Sequence, residues 1–233
     1  MRPLAMLAVM AALFSGCQSL SYQPKATVGL APSRIPLQIE MRDLGDTSPA
    51  DDRTRALGGT AATASDTLAG ELAPSVTDAI IDNFILDEVF LDISRRPEKP
   101  ELVMSGTIRR FYGKAYLNAL GYAVTLDPFG VAVWLAYLGL PIYSSSGGVD
   151  LELRFETADG QPVAQYSAAK EFNKWSSMYR QPLYGIGTEV NRTFSEVLAD
   201  LRSQMLADRN KLMQAAGSGD ALPVSEPEPE HTP

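Results

Sequence analysis

The run VDLELRFET, residues 149–157, decides how this chain is read. Val149, Leu151, Leu153 and Phe155 alternate with Asp150, Glu152, Arg154 and Glu156. That is the period-two pattern of a strand with one apolar and one polar face. ADGQ at 158–161 supplies turn residues, and PVAQYSAAKEF at 162–172 runs back, so the pair predicts a β-hairpin. Upstream, ELVMSGTIRRFYGKAY at 101–116 predicts a second long strand, bent at Gly106 or Gly113. IPLQIEMR at 35–42 places Ile35, Leu37, Ile39 and Met41 on one face, with Pro36 drawing the strand toward an edge. VFLDI at 89–93 is a short strand, stopped by the prolines of SRRPEKP at 94–100.

Two segments carry the helical period instead. In residues 71–88, Leu72, Val76, Ile80 and Phe84 form one stripe; in residues 183–213, Val190, Phe194, Leu198, Leu201 and Met205 form another. The order predicts one α+β domain over residues 34–213, a mostly antiparallel sheet with two amphipathic helices packed on one face. Beyond it, residues 214–233 are an acidic, proline-rich tail expected to be disordered.

The start of the chain has a different grammar. Arg2 precedes the uncharged run LAMLAVMAAL at 4–13, and Ser15 and Gly16 stand directly before Cys17, the only cysteine. The apolar run is too short to span a bilayer and has the layout of a secretory signal. With the cysteine placed so, the segment resembles the bacterial lipobox, with Phe14 where leucine is usual. The resemblance implies a signal peptide over residues 1–16, a lipidated tether over 17–33 and an acylated Cys17 that holds the chain to a membrane by several acyl chains. Gln18 follows where aspartate would retain an inner-membrane lipoprotein, which points to the outer membrane, facing the periplasm.

Much chemistry is excluded. A lipidated Cys17 leaves no intrachain disulfide and no thiol nucleophile. The only histidine, His231, lies in the tail, which rules against Ser-His, Cys-His and zinc-protease mechanisms. Asp43, Asp46, Asp51 and Asp52 lack the spacing of a calcium loop. Asp150 and Glu152 share a strand face, but alternating charge on a solvated strand explains them better than a carboxylate pair. No catalytic residue, metal site or cofactor is expected. The 28 acidic residues against 20 basic ones argue against nucleic-acid binding.

Two stretches remain as contact candidates. PFGVAVWLAYLGLPIY at 128–143 has no charged side chain and is too short for a spanning helix. Buried core, a protein-docking patch and a lipid-contacting segment all fit it; Phe129, Val133, Trp134, Tyr137 and Leu138 are the residues of the contact reading. The second is a set of cations, Arg109, Arg110 and Lys114 with Lys170, Lys174 and Arg180, interleaved with Phe111, Tyr112, Tyr116, Trp175 and Tyr179. Were 109–116 and 170–180 on neighbouring strands, they would form a face for a phosphate-bearing glycolipid or an acidic partner.

The lipobox, the 35–42 strand with a helix after it, the hairpin GVDLELRFETADGQPV and the final amphipathic helix together resemble the small periplasmic lipoproteins of envelope assembly and transport. These include the curli-secretion lipoprotein and the transport-auxiliary lipoproteins, whose domain is similar to the amino-terminal domain of the Tol-system translocation protein. The resemblance implies a non-enzymatic accessory or scaffold that docks an envelope protein or a second copy of itself. The rival expectation is a lipid or glycolipid carrier with the apolar segment lining a cleft beside Arg109 and Arg110.

Overall fold

The computed structural model describes residues 21–27, 29, 34–49, 67–68, 71–126, 130–177, 179 and 186–217. Its elements, in chain order, are β1 (Ser21–Tyr22), β2 (Ile35–Met41), β3 (Gly45–Asp46), β4 (Thr67–Leu68), α1 (Leu72–Leu86), β5 (Phe90–Ser94), β6 (Leu102–Leu117), α2 (Ala119–Leu126), α3 (Val131–Tyr137), β7 (Pro141–Thr157), β8 (Pro162–Ser177), α4 (Ile186–Ala207) and α5 (Arg209–Ala215). The α+β class holds. A six-stranded sheet runs in the order β5-β2-β6-β7-β8, with β3 also beside β6, while β1 and β4 pair separately.

The sheet is mixed, which corrects the expectation of a mostly antiparallel one. β2 pairs in parallel with both β5 and β6, and β3 with β6; β6/β7 and β7/β8 are antiparallel. The parallel part follows from connectivity. α1 lies between β2 and β5, the crossover that returns a chain to the start of a neighbouring parallel strand. β6 then starts level with the end of β5, both opposite Ile39, so a short loop suffices.

The predicted hairpin forms and is longer than its pattern. β7 has 17 residues and β8 has 16, each spanning about 50 Å at strand rise. Their turn closes at Gly160, φ 79°, with the Gly160 N–H donating to the Thr157 carbonyl at 2.9 Å. The apolar set lands where the alternation placed it: Val149, Leu151, Leu153 and Phe155 are buried with Ile35, Leu37, Ile39, Met41 and Met104. Phe155 packs edge-on to Tyr166 of β8, ring centroids 5.7 Å apart.

α4 covers this face. Ile186, Val190, Phe194, Val197, Leu198, Leu201 and Met205 are its buried stripe, and α1 adds Val76, Ile80 and Phe84 to the same core. Near its start α4 presses directly on the sheet backbone: a Cβ on Gly113 would lie 2.6 Å from Val190 Cγ2 and 2.9 Å from Ile186 Cγ1. Only glycine admits that approach. The helix expected to run on to residue 213 instead breaks at Asp208, between α4 and α5.

Asp208 accepts a hydrogen bond from the Tyr166 hydroxyl at 3.3 Å. Burial first, then the charge of Asp208, pushes the Tyr166 phenol well above its ordinary range. The folded protein therefore keeps this proton when the unfolded chain, titrating near pH 10, has lost it. Tyr166 thus contributes stability that is fully present below about pH 10 and declines above it. Tyr166→Phe is expected to flatten the fall in urea midpoint above pH 10 relative to wild type. An unchanged slope would refute the assignment.

Within the expected tether, residues 23–27 and 29 lie along α4. The Lys25 N–H donates to Asn191 Oδ1 at 3.0 Å and the Thr27 N–H to Ser195 Oγ at 2.8 Å. The Gly29 N–H donates to Asp87 Oδ1 at 2.6 Å, and Asp87 is also ion-paired with Arg202. This strap runs in the same direction as α4, from Asn191 toward Arg202. Followed backwards, it leads to the helix start, at the Gly113 end of the sheet.

Candidate functional site

The long strands extend beyond the parallel part of the sheet, and at that end β6 is joined to β7 through α2 and α3. Asn118 sets the turn. Its Oδ1 accepts from the Gly121 N–H at 3.0 Å, its Nδ2 donates to the Pro141 carbonyl at 2.8 Å, and its own N–H donates to the Ile142 carbonyl at 3.0 Å. One side chain thus starts a helix and ties it to the strand that follows. α3 ends in a Schellman motif. Gly139 takes the left-handed conformation, φ 89°, with its N–H on the Ala136 carbonyl at 3.0 Å and the Leu140 N–H on the Leu135 carbonyl at 3.3 Å. From residue 130 to 143 the apolar run is therefore a short helix followed by the first residues of a strand.

Most of its large side chains face outward. Leu138 is 80% exposed, Trp134 71% and Tyr137 56%, while Val133 is half-buried and Ala136 and Ile142 are buried beneath them. Tyr122 and Leu126 of α2, and Val131 of α3, are exposed beside them. The Trp134 and Tyr137 rings lie 6.5 Å apart, and the Tyr179 hydroxyl donates to the Tyr137 carbonyl at 2.6 Å. Of the predicted contact residues, α3 brings together Val133, Trp134 and Tyr137, with Leu138 at its cap; Phe129 and Cys17 lie outside the described residues. The exposure removes the buried-core reading of Trp134, Tyr137 and Leu138. Side chains presented outward on a helix also do not line a cleft, which withdraws support from the carrier reading. A depression of about 300 Å³, lined by Phe155, Pro162 and Lys211 among others, sits at the opposite, turn end of the hairpin.

The cationic candidates do not assemble as expected. β7 lies between β6 and β8, so 109–116 and 170–177 are not on adjacent strands. Lys170 and Lys174 point to the helix side, bridging to Asp200 at 2.9 Å and Glu189 at 2.7 Å. Phe111 is core, stacked edge-on against Phe194. Arg180 lies outside the described residues. What does come together is smaller: Arg110 and Lys114 flank the Tyr112 ring at 4.5 and 4.9 Å from its centroid. Arg110 also bridges Glu171 at 2.7 Å.

Glu152 is the residue that the pattern misplaced. Alternation put it on a solvated face, yet it is 1% exposed, held by an ion pair to Arg109 and by a 2.6 Å hydrogen bond from Arg154 Nε. The register shift between Ile108 and Arg110 makes Arg109 an extra residue in β6. That bulge re-aims its side chain toward Glu152, and only the partner strand's register reveals it. A carboxylate clamped by two guanidinium groups is neutralised and sequestered, which suits structure rather than acid–base work. Among the described residues, no group of three or more His, Cys, Asp or Glu side chains could hold a metal ion. No described helix is long and apolar enough to cross a membrane.

No protein-family model matches the chain, and no curated protein matches it. Solved structures do. A Xanthomonas campestris protein of family model DUF330 is similar with a TM-score of 0.51 and 11% identity, over 83% of this chain and 98% of that one. The PelC dodecamer from Paraburkholderia phytofirmans scores 0.33 at 10% identity, over 77% of this chain and 94% of that one. A candidate lipoprotein from Caulobacter crescentus scores 0.25 at 11% identity, over 53% and 74%. The chain thus shares its fold with the Xanthomonas DUF330 structure, and at this identity the likeness is one of fold.

Proposed function

We propose that this chain is a lipid-anchored accessory protein of the bacterial cell envelope that works by docking and not by catalysis. Its anchor is Cys17, with Gln18 directing it to the outer membrane and the domain facing the periplasm. The observation that carries the reading is the α2–α3 pair: large apolar side chains held outward by a capped, hydrogen-bonded frame. Exposed apolar patches of this kind on a folded domain mark an interaction site. The lipobox resemblance of residues 13–17 and the pairing of Glu152 with Arg109 and Arg154 support the same reading.

A photoreactive residue placed at Tyr137 in intact bacteria tests it. A discrete adduct is expected there, and none at Asp159 in the hairpin turn at the opposite end. Equal yields at the two positions would sink the docking reading.

A further inference from the structure

We infer that the α2–α3 pair docks on the lipid surface of the same membrane that holds Cys17, so that the protein stands on its membrane at two points. This rests on the anchor reading above and names what occupies its contact surface.

The first argument is where the chain leaves the body. Gln23 lies against α4 one turn from its start, its carbonyl accepting from Asn191 Nδ2 at 3.4 Å. Ile186 and Val190, in that same stretch of α4, press on Gly113, and Gly113 is paired with Gly147 of β7. Four residues past Gly113, β6 ends at Leu117 and enters α2, while β7 begins at Pro141. The strap and the apolar helices thus share one end of the molecule. Cys17 is six residues from Gln23, a reach of at most about 20 Å even if fully extended. An acylated Cys17 therefore keeps this end, and no other, against the bilayer.

The second argument is composition. From Ala115 to Val149 the sequence holds a single charged residue, Asp127, in a chain of net charge −8. The acidic side chains described near that end, Glu171 and Glu189, are ion-paired with Arg110 and with Lys174 and Arg192, so they bring no uncompensated negative charge toward anionic headgroups. The exposed side chains there are Tyr116, Tyr122, Trp134 and Tyr137, with Trp175 and Tyr179 alongside. Rings with a polar tip and an apolar body settle at the headgroup level of a bilayer. Leu126, Val131 and Leu138 supply the purely apolar contact. With two short helices, and no described helix long and apolar enough to span, the geometry is that of an interfacial contact lying on the membrane.

The test uses the full processed protein, purified from bacterial membranes and reconstituted in phosphatidylcholine vesicles whose acyl chains carry bromine. Trp175→Phe leaves Trp134 as the only tryptophan, and the mass of the N-terminal peptide reads the state of Cys17 independently. An acylated Cys17 with Trp134 emission lost to bromine is the expected result. Acylation with Trp134 unquenched, including emission shifted by burial against a second copy, overturns the lipid contact and leaves the anchor standing. Quenching without acylation overturns the anchor and upholds the contact; absence of both overturns the two together.

Discussion

Phe194→Ala is expected to destabilise the domain by about 3–5 kcal/mol, the range for deleting a fully buried aromatic side chain. Phe194 has no exposed surface and lies at the middle of the α4 stripe, its ring 5.6 Å from that of Phe111 at 72°. The loss combines apolar area returned to water, a cavity between helix and sheet, and an edge-to-face contact worth about 0.5–1.5 kcal/mol beyond burial. For a domain of ordinary stability, about 5–15 kcal/mol, this is a large fraction. Urea unfolding should show a lower midpoint with an unchanged slope. A second consequence separates this site from other core positions. Asn191 and Ser195, on either side of Phe194, hold the strap at Lys25 and Thr27, so loosening α4 loosens the route to Cys17. Faster proteolysis near Lys25 should accompany the fall in midpoint. An unfolding free energy within about 1 kcal/mol of wild type would show that α4 is not seated on β6 as described.

Trp134→Asp is the opposite case. A side chain 71% exposed contributes little to folding, and such surface changes fall within about 0.5 kcal/mol. Docking should suffer heavily. Withdrawing a large apolar side chain from its contact loses about 1.5–3 kcal/mol, roughly 10- to 100-fold in the docking equilibrium, and a charge placed in an apolar contact adds to that. The adduct formed from a photoreactive residue at Tyr137 should vanish in this background while the unfolding midpoint stays put. A large drop in midpoint would return Trp134 to the core, and an unchanged adduct would take it off the contact surface.

The readable parts of this fold are those where one face is buried and the other wet. Leu153 and Arg154 alternate because β7 separates a helix-covered face from an open one, so the hairpin and the α4 stripe are legible to within a few residues. The first half of β7 was not. PIYSSSGG carries no alternation of apolar and polar residues, yet Ser144 and Ser145 are buried and Gly147 lies under the Phe172 ring. Small residues are required there because neighbours close over them, and close neighbours leave no period. Strand direction was illegible for another reason. Alternation is the same in either direction, and β2 is parallel to both its neighbours because of how α1 and the loop after β5 route the chain.

The candidate site divides along the same line. Trp134, Tyr137 and Leu138 were legible as a group because helical spacing gathers them whatever surrounds them. The face proposed from Arg109, Lys170 and Lys174 failed because β7 intervenes and because Lys170 and Lys174 project to the helix side. Glu152 was missed because a one-residue bulge in a different strand supplies its partner.

By itself, then, the sequence determined the α+β class, which faces are apolar, and the placement of the only thiol ahead of a domain with no nucleophile–histidine pair. Local periodicity and composition are properties of neighbours in the chain, and need no partner to be read. Tertiary structure alone decided that Trp134, Tyr137 and Leu138 of the uncharged run are surface, that part of the sheet is parallel, and that the strap at Gln23 and the α2–α3 pair meet at one end. Each of these depends on what lies across a contact between residues far apart in sequence, Gln23 with Asn191 and Gly113 with Val190, and burial is fixed by that opposite partner.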